Sequence, residues 1–130
     1  MPAVTSTTSN PHVGVLIVED EAVARKALSV LLSSYGFITT ACGSAEEALG
    51  LIRNKLAPEF ALVDLDLPGM NGLDFIGRLR ESDRAVFPVL ITAADKERVR
   101  SLDTTPVRYL QKPLDFEKLL ILLHECQARH

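Results

Sequence analysis

The chain has 130 residues, 47% of them hydrophobic and 24% charged, and carries a net charge of −3 with a sequence pI of about 5.6. That is the composition of one ordinary globular domain, long enough to bury a core without disulfides or structural zinc. It has no Lys/Arg cluster of the kind that direct nucleic-acid binding requires, and no apolar run approaches the length of a membrane span.

Residues 1–12, "MPAVTSTTSNPH", are rich in Ser, Thr and Pro and have neither the basic start nor the apolar middle of a signal peptide. They read as a disordered tail, with the folded domain over 13–130 and the whole chain soluble and cytoplasmic. "VGVLIV" (13–18) is a continuous β-branched run, as expected of a strand buried on both faces. Over 21–35 the spacing puts Ala24, Ala27, Leu28, Leu31 and Tyr35 on one helical face, with Gly36 as the stop. "FITTAC" (37–42) reads as a second strand. Ser44 with Glu47 three residues on forms a capping box that opens a helix through about Lys55.

"EFALVD" (59–64) is the third strand, and Gly72 to Glu81 a helix with Leu73, Ile76 and Leu79 inward. "FPVLIT" (87–92) and "VRYL" (107–110) are the fourth and fifth strands. Between them, 95–106 is charged and then reads "SLDTTP", where Pro106 excludes helix, so a short or irregular helix is expected. Asp115 caps a last helix from Phe116 to about Arg129. Five strands alternating with five helices imply an α/β fold, a doubly wound five-stranded parallel sheet covered on both faces, because parallel neighbours need helical crossovers.

In such sheets the functional crevice lies outside the carboxyl ends of the strands. Here the first strand ends in Glu19–Asp20, the third in Asp64 and the fourth in Thr92, and the fifth is followed by Lys112. A lone Asp after a strand is by default a turn residue or helix cap. Acid, acid, hydroxyl and amine on four strand ends form a far more specific set, and the chemistry suited to it is phosphoryl transfer. Mg²⁺ takes one or two carboxylates and leaves its other positions to water and phosphate oxygens. Asp20 and Asp64 can supply those carboxylates, with Glu19 acting directly or through water. A carboxylate is also a competent phosphoryl acceptor. Thr92 can donate to one phosphoryl oxygen and Lys112 can offset charge on another.

In order and spacing, "VLIVEDE", "DLDLPGMNG", "VLITA" and "YLQKP" resemble the motifs of response-regulator receiver domains of two-component signalling, over nearly all of residues 13–129. The resemblance implies a flavodoxin-like sheet of strand order 2-1-3-4-5 and a signalling switch that catalyses only its own phosphotransfer and dephosphorylation. Asp64 would be the phosphoacceptor, supplied by a sensor histidine kinase or histidine phosphotransfer protein. Mg²⁺ would sit on Glu19, Asp20, Asp64 and the backbone carbonyl of Asp66. Thr92 and Tyr109 would be switch residues, Lys112 would contact the phosphoryl group, and the Lys112–Pro113 bond would be cis. By itself, Tyr109 on an apolar strand reads as a core aromatic. The pattern departs from the family at 95–106, which is short and has "TTPV" in place of a small-residue turn. Asp66 and Ala94 occupy the two positions that tune phosphoryl lifetime in receivers.

Two other readings compete. "DLDL" nearly fits the opening motif of a haloacid-dehalogenase-type phosphatase, although that motif belongs on a first strand and needs a later acidic motif. A pseudo-receiver would dock partners without phosphorylation, but such domains commonly lose one of the acids, the Thr or the Lys. The last helix has Phe116, Leu119, Leu120 and Leu123 as its expected core stripe, which turns Ile121 and Leu122 outward, toward a homodimer contact or an output domain. His12, His124 and His130 read as surface residues, and Cys42 and Cys126 as reduced thiols.

Overall fold

Short runs of β-branched and apolar residues form the sheet in the computed structural model, which describes residues 13–82, 85–93, 97 and 107–128, with side chains to residue 125. Strands β1 (Gly14–Val18), β2 (Ile38–Cys42), β3 (Phe60–Asp64), β4 (Phe87–Thr92) and β5 (Arg108–Gln111) are all parallel, in the order β2-β1-β3-β4-β5. This is the expected doubly wound arrangement. The chain moves outward from β1 to β2, then returns across β1 to β3, so the order reverses between β1 and β3. In the register, Val18 pairs Val63, Asp64 pairs Ile91 and Thr92 pairs Gln111. Glu19, Asp64, Thr92 and Lys112 therefore leave four neighbouring strands at the same edge.

Among the described residues four helices cover the sheet: α1 (Ala22–Ser34), α2 (Ala45–Arg53), α3 (Gly72–Ser82) and α4 (Phe116–Ala128). The period-2 alternation of the central strands divides the core in two. Leu16, Val18, Ala61, Val63 and Leu90 pack under α2 and α3, with Ala45, Ala48, Phe75, Ile76 and Leu79. Val15, Ile17, Leu62, Val89 and Ile91 pack under α1 and α4, with Leu28, Leu32, Leu119, Leu122 and Leu123. Burying each such Leu or Ile contributes about 1.5–3 kcal/mol. Of the helix expected within 95–106 only Glu97 is described, in helical conformation, and the tail over 1–12 lies outside the described residues.

The helix ends follow the sequence signals closely. Glu21 caps α1, its carboxylate accepting the Ala24 N–H. Gly36 sits at φ +94° just past that helix, where its N–H and that of Phe37 bond the carbonyls of Ser33 and Leu32, a Schellman stop. Ser44 caps α2 by accepting the Glu47 N–H, and Glu47 returns to the N–H of Gly43, one residue before the cap. Asn71 caps α3 through Asp74, and Asp115 caps α4 through Lys118.

Three expectations need correction. On α1 the buried positions are Leu28 and Leu32, while Leu31 and Tyr35 are exposed. The apolar arc of α1 is wider than its contact with the sheet. Its other side borders an open groove shared with Leu114 and Phe116, and Tyr35 packs its ring on Phe116 at 5.2 Å. On α3, Phe75 joins Ile76 and Leu79 in the core and Leu73 is only half-buried. On α4, Leu122 is buried at 8% exposure and Ile121 alone of "LLILL" points outward, at 56%. Leu122 stands three residues from Leu119, on the face that meets the sheet, so the buried stripe of α4 is Leu119, Leu122 and Leu123, while Phe116 and Leu120 of the expected stripe are half-buried.

Candidate functional site

At the carboxyl edge, Glu19, Asp64 and Thr92 are buried among strand ends, and Asp20 is exposed beside them. The loop after β3 is shaped by its own sequence. The Asp66 N–H bonds Asp64 Oδ1 at 2.9 Å, tying the acid to the turn that follows it. Gly69 takes φ +75°, a left-handed value that favours glycine. Gly72 opens α3 against the backbone of β3, its N–H bonding the Leu65 carbonyl at 3.0 Å. A Cβ there would overlap the Asp64 carbonyl oxygen and come within 2.9 Å of Leu65 Cα. "PGMNG" is thus the turn that lets α3 start directly behind Asp64.

Lys112 enters from the end of β5. Its N–H continues the ladder to the Thr92 carbonyl at 2.7 Å, and the bond to Pro113 is cis. Its ammonium lies 3.0 Å from Glu19 Oε1 and 3.1 Å from Asp64 Oδ2, bridging the two buried acids. The other oxygen of Glu19 accepts the Glu21 N–H at 3.1 Å. Burial pushes the Glu19 carboxyl above its ordinary value, and the hydrogen bond from Lys112 only partly opposes it. For Lys112, burial acts to lower the pKa, but its bonds and charge attraction to Glu19 and Asp64 outweigh burial and leave it raised. Acid repulsion at this edge is therefore already partly offset by one cation.

Glu19, Asp20 and Asp64 each present a carboxylate oxygen, all within 4.8 Å of one another. Oxygen donors at that spacing fit a hard divalent cation such as Mg²⁺. A cavity of about 370 Å³ opens alongside, lined by Asp20, Leu65, Asp66, Leu67, Pro68 and Asn71. Asp20 thus joins the cluster of acids to open solvent.

Other singled-out residues divide. Tyr109 on β5 is 37% exposed, so it is not the core aromatic its strand position alone would make it. His124 is exposed and Cys42 is buried at the end of β2; His12, His130 and the Cys126 side chain lie outside the described residues, as does Ala94. Arg25 was not apparent from strand ends. Its Nη1 donates to the Glu19 carbonyl at 2.9 Å and to the Asp20 carbonyl at 3.3 Å. The available signal was a cation one turn into the helix that follows an acid pair.

Comparison with known proteins agrees with this geometry. Residues 15–124 match the family model for the response regulator receiver domain. The two-component response regulator PhoP of Pseudomonas aeruginosa is 39% identical over 117 residues, 88% of this chain and 51% of the relative. The chain spans about half the length of the curated relatives it matches. Among solved structures, a response regulator receiver protein from Pseudomonas putida is 32% identical, with a TM-score of 0.77 over 88% of this chain and 97% of that one. The response regulator TrrA of Thermotoga maritima, in complex with Mg²⁺ and BeF, shares the fold with a TM-score of 0.77 at 24% identity, over 87% of this chain and 97% of that one. With its acids, hydroxyl and lysine gathered at the carboxyl edge of a 2-1-3-4-5 sheet, the chain belongs to the response-regulator receiver domains of two-component signalling.

Proposed function

We propose that the chain is a phosphorylation-dependent switch in which Asp64 accepts a phosphoryl group from a sensor histidine kinase or histidine phosphotransfer protein. The observation that carries this reading is the Lys112 ammonium held at 3.1 Å from Asp64 and 3.0 Å from Glu19, with Asp20 beside them. A carboxylate oxygen of Asp64 attacks phosphorus as the N–P bond of the phosphohistidine breaks, and the imidazole leaves with the electron pair. Water later attacks the same phosphorus, returning Asp64 as carboxylate and releasing phosphate.

Residues of the chain supply most of what the transfer needs. Lys112 exchanges its bond to Asp64 Oδ2 for one to a phosphoryl oxygen, and Thr92 donates to another, offsetting the spread charge. Glu19, Asp20, Asp64 and the backbone carbonyl of Asp66 would hold Mg²⁺, which when bound would offset charge on phosphoryl oxygens that these acids otherwise repel. Thr92 and Tyr109 reorient together: Thr92 is fully buried at the site, and Tyr109 is partly exposed on the next strand, paired with Leu90. Ile121 offers an apolar contact on α4 to a second copy or an output domain. The role of Asp66 at the mouth of the cavity is to bias how long the acyl phosphate lasts.

As a receiver domain the chain acts as a signalling module whose chemistry is confined to its own acyl phosphate, working in the cytoplasm where its kinase partner presents phosphohistidine. Any contact with DNA belongs to an output segment, since this chain has no basic footprint. Asp64 ends β3 rather than β1, which leaves the phosphatase alternative without support, and the presence of both acids, Thr92 and Lys112 does the same for a pseudo-receiver.

Incubation with acetyl phosphate and Mg²⁺ tests the assignment. The wild type should gain one base-labile phosphate per chain, and Asp64→Ala should gain none. Full labelling of Asp64→Ala would refute Asp64 as the acceptor, and sustained turnover of small phosphate esters would favour a phosphatase.

A further inference from the structure

Between the last residue of β1 and the first of α1 the chain makes a three-residue bend, Glu19–Asp20–Glu21, and two of the site's acids stand on it. The sheet anchors its start, because the Glu19 N–H bonds the Cys42 carbonyl at 3.0 Å. Helix α1 anchors its end, because Glu21 is the cap residue. The carbonyls of Glu19 and Asp20 lie between these anchors, and both accept from a single nitrogen, Nη1 of Arg25. The guanidinium is itself seated on the turn after β2: a Cβ at Gly43 would lie 3.1 Å from Nη1. Three elements meet on one cation.

We infer that Arg25 is a positioning residue for the cation site, fixing the bend so that the Glu19 and Asp20 carboxylates converge with that of Asp64; this rests on the reading of those acids as a Mg²⁺ site. The choice of acceptor atoms is what distinguishes this role from simple charge pairing. Arg25 bonds main-chain carbonyls and leaves the Asp20 carboxylate oxygens to a metal. It does not compete with a metal for the same atoms. The Glu19 side chain depends on the same backbone, since its Oε2 is held by the Glu21 N–H at 3.1 Å. A bend that relaxes moves both carboxylates at once. A lysine cannot substitute fully, because its ammonium is strongly hydrated and sits on a flexible stem, so it holds the two carbonyls less firmly.

Calorimetric titration of the whole chain with MgCl₂, with melting curves taken in the metal-free state, tests the inference. Arg25→Met should weaken Mg²⁺ binding about tenfold, as loss of a group that orients metal ligands does. Arg25→Lys should recover only part of that loss. Gly43→Ala, which keeps the charge but displaces the guanidinium, should weaken binding in the same direction, and it provides a test if Arg25→Met does not fold. An Arg25→Met variant that melts lower yet binds Mg²⁺ within about twofold of wild type would make the role merely structural and overturn the inference. Full recovery in Arg25→Lys would overturn it too, because charge alone would then account for the effect. A wild type that binds no Mg²⁺ would remove the metal site itself, and the inference with it.

Discussion

At the scale of single residues, burial divides the titratable groups of the carboxyl edge into those that are compensated and those that are not. Lys112 gains two acids as partners and keeps its proton more firmly than a free lysine. Cys42, at the end of β2 beside the strand that leads to Glu19, is buried, and burial together with the charge of Glu47 pushes its thiol from 9.0 up to about 11, only partly opposed by the charge of Arg25. The folded state therefore holds a proton that the unfolded chain releases sooner. That contribution to stability is fully present below pH 9 and is lost as pH rises to about 11. The thiolate is the reactive form, so at pH 8.5 iodoacetamide should modify Cys42 on the order of a hundredfold more slowly in the native protein than in urea. Mass spectrometry of a Cys126→Ser variant measures this at one thiol. Equal rates in the two states would mean that the end of β2 opens readily.

Among the elements, α2 and α4 each carry a local conflict that the fold overrides. Helix α2 ends in the same Schellman pattern as α1, with the N–H groups of Lys55 and Leu56 bonding the carbonyls of Ile52 and Leu51. The left-handed position, φ +74°, is filled by Lys55 where glycine would sit without strain. Lys55→Gly should stabilise the protein by about 1 kcal/mol, read as a higher urea midpoint with an unchanged slope. On α4 the adjacent residues Ile121 and Leu122 differ sharply in environment. Leu122→Glu places a carboxylate in the core beside Leu119 and should cost several kcal/mol, enough to unfold much of the population. Ile121→Glu should stay within about 0.5 kcal/mol of wild type. Urea melts of both variants decide it, and comparable losses would place the helix in a different rotation on the sheet.

For the whole molecule, the sheet sets a cost that a ligand can relieve. The register of β1 and β3 brings three carboxylates within 4.8 Å, and Lys112 bridges only Glu19 and Asp64. A cation that binds this arrangement and not the unfolded chain stabilises the fold by mass action, about 2.7 kcal/mol at a hundred times its Kd. Millimolar Mg²⁺ should therefore raise the melting temperature of the wild type by several degrees, a shift that Asp20→Asn should largely abolish. A wild-type melt independent of Mg²⁺ would count against the metal site.

How much of this was legible in the chain itself varies with the range of the interaction involved. Strands and helix ends were readable because their causes are local: β-branched runs, Ser44 and Asp115 as caps, Gly36 as a stop, and "PGMNG" as a turn. The four strand-end residues were readable for a related reason, since a parallel sheet carries every strand's carboxyl end to one edge whatever the details of packing. Helix rotation was not readable, because a stripe of apolar residues says which arc can be buried and not how the sheet and a neighbouring helix share it. Leu31, Leu32 and Leu122 were decided by that sharing. Nor did the sequence determine that Lys112 would lie between Glu19 and Asp64, or that Arg25 would close on two carbonyls. The Lys112 contacts join residues far apart in the chain, whose meeting depends on strand order, and the Arg25 contacts depend on how α1 is set against the end of β1, which only the folded chain supplies.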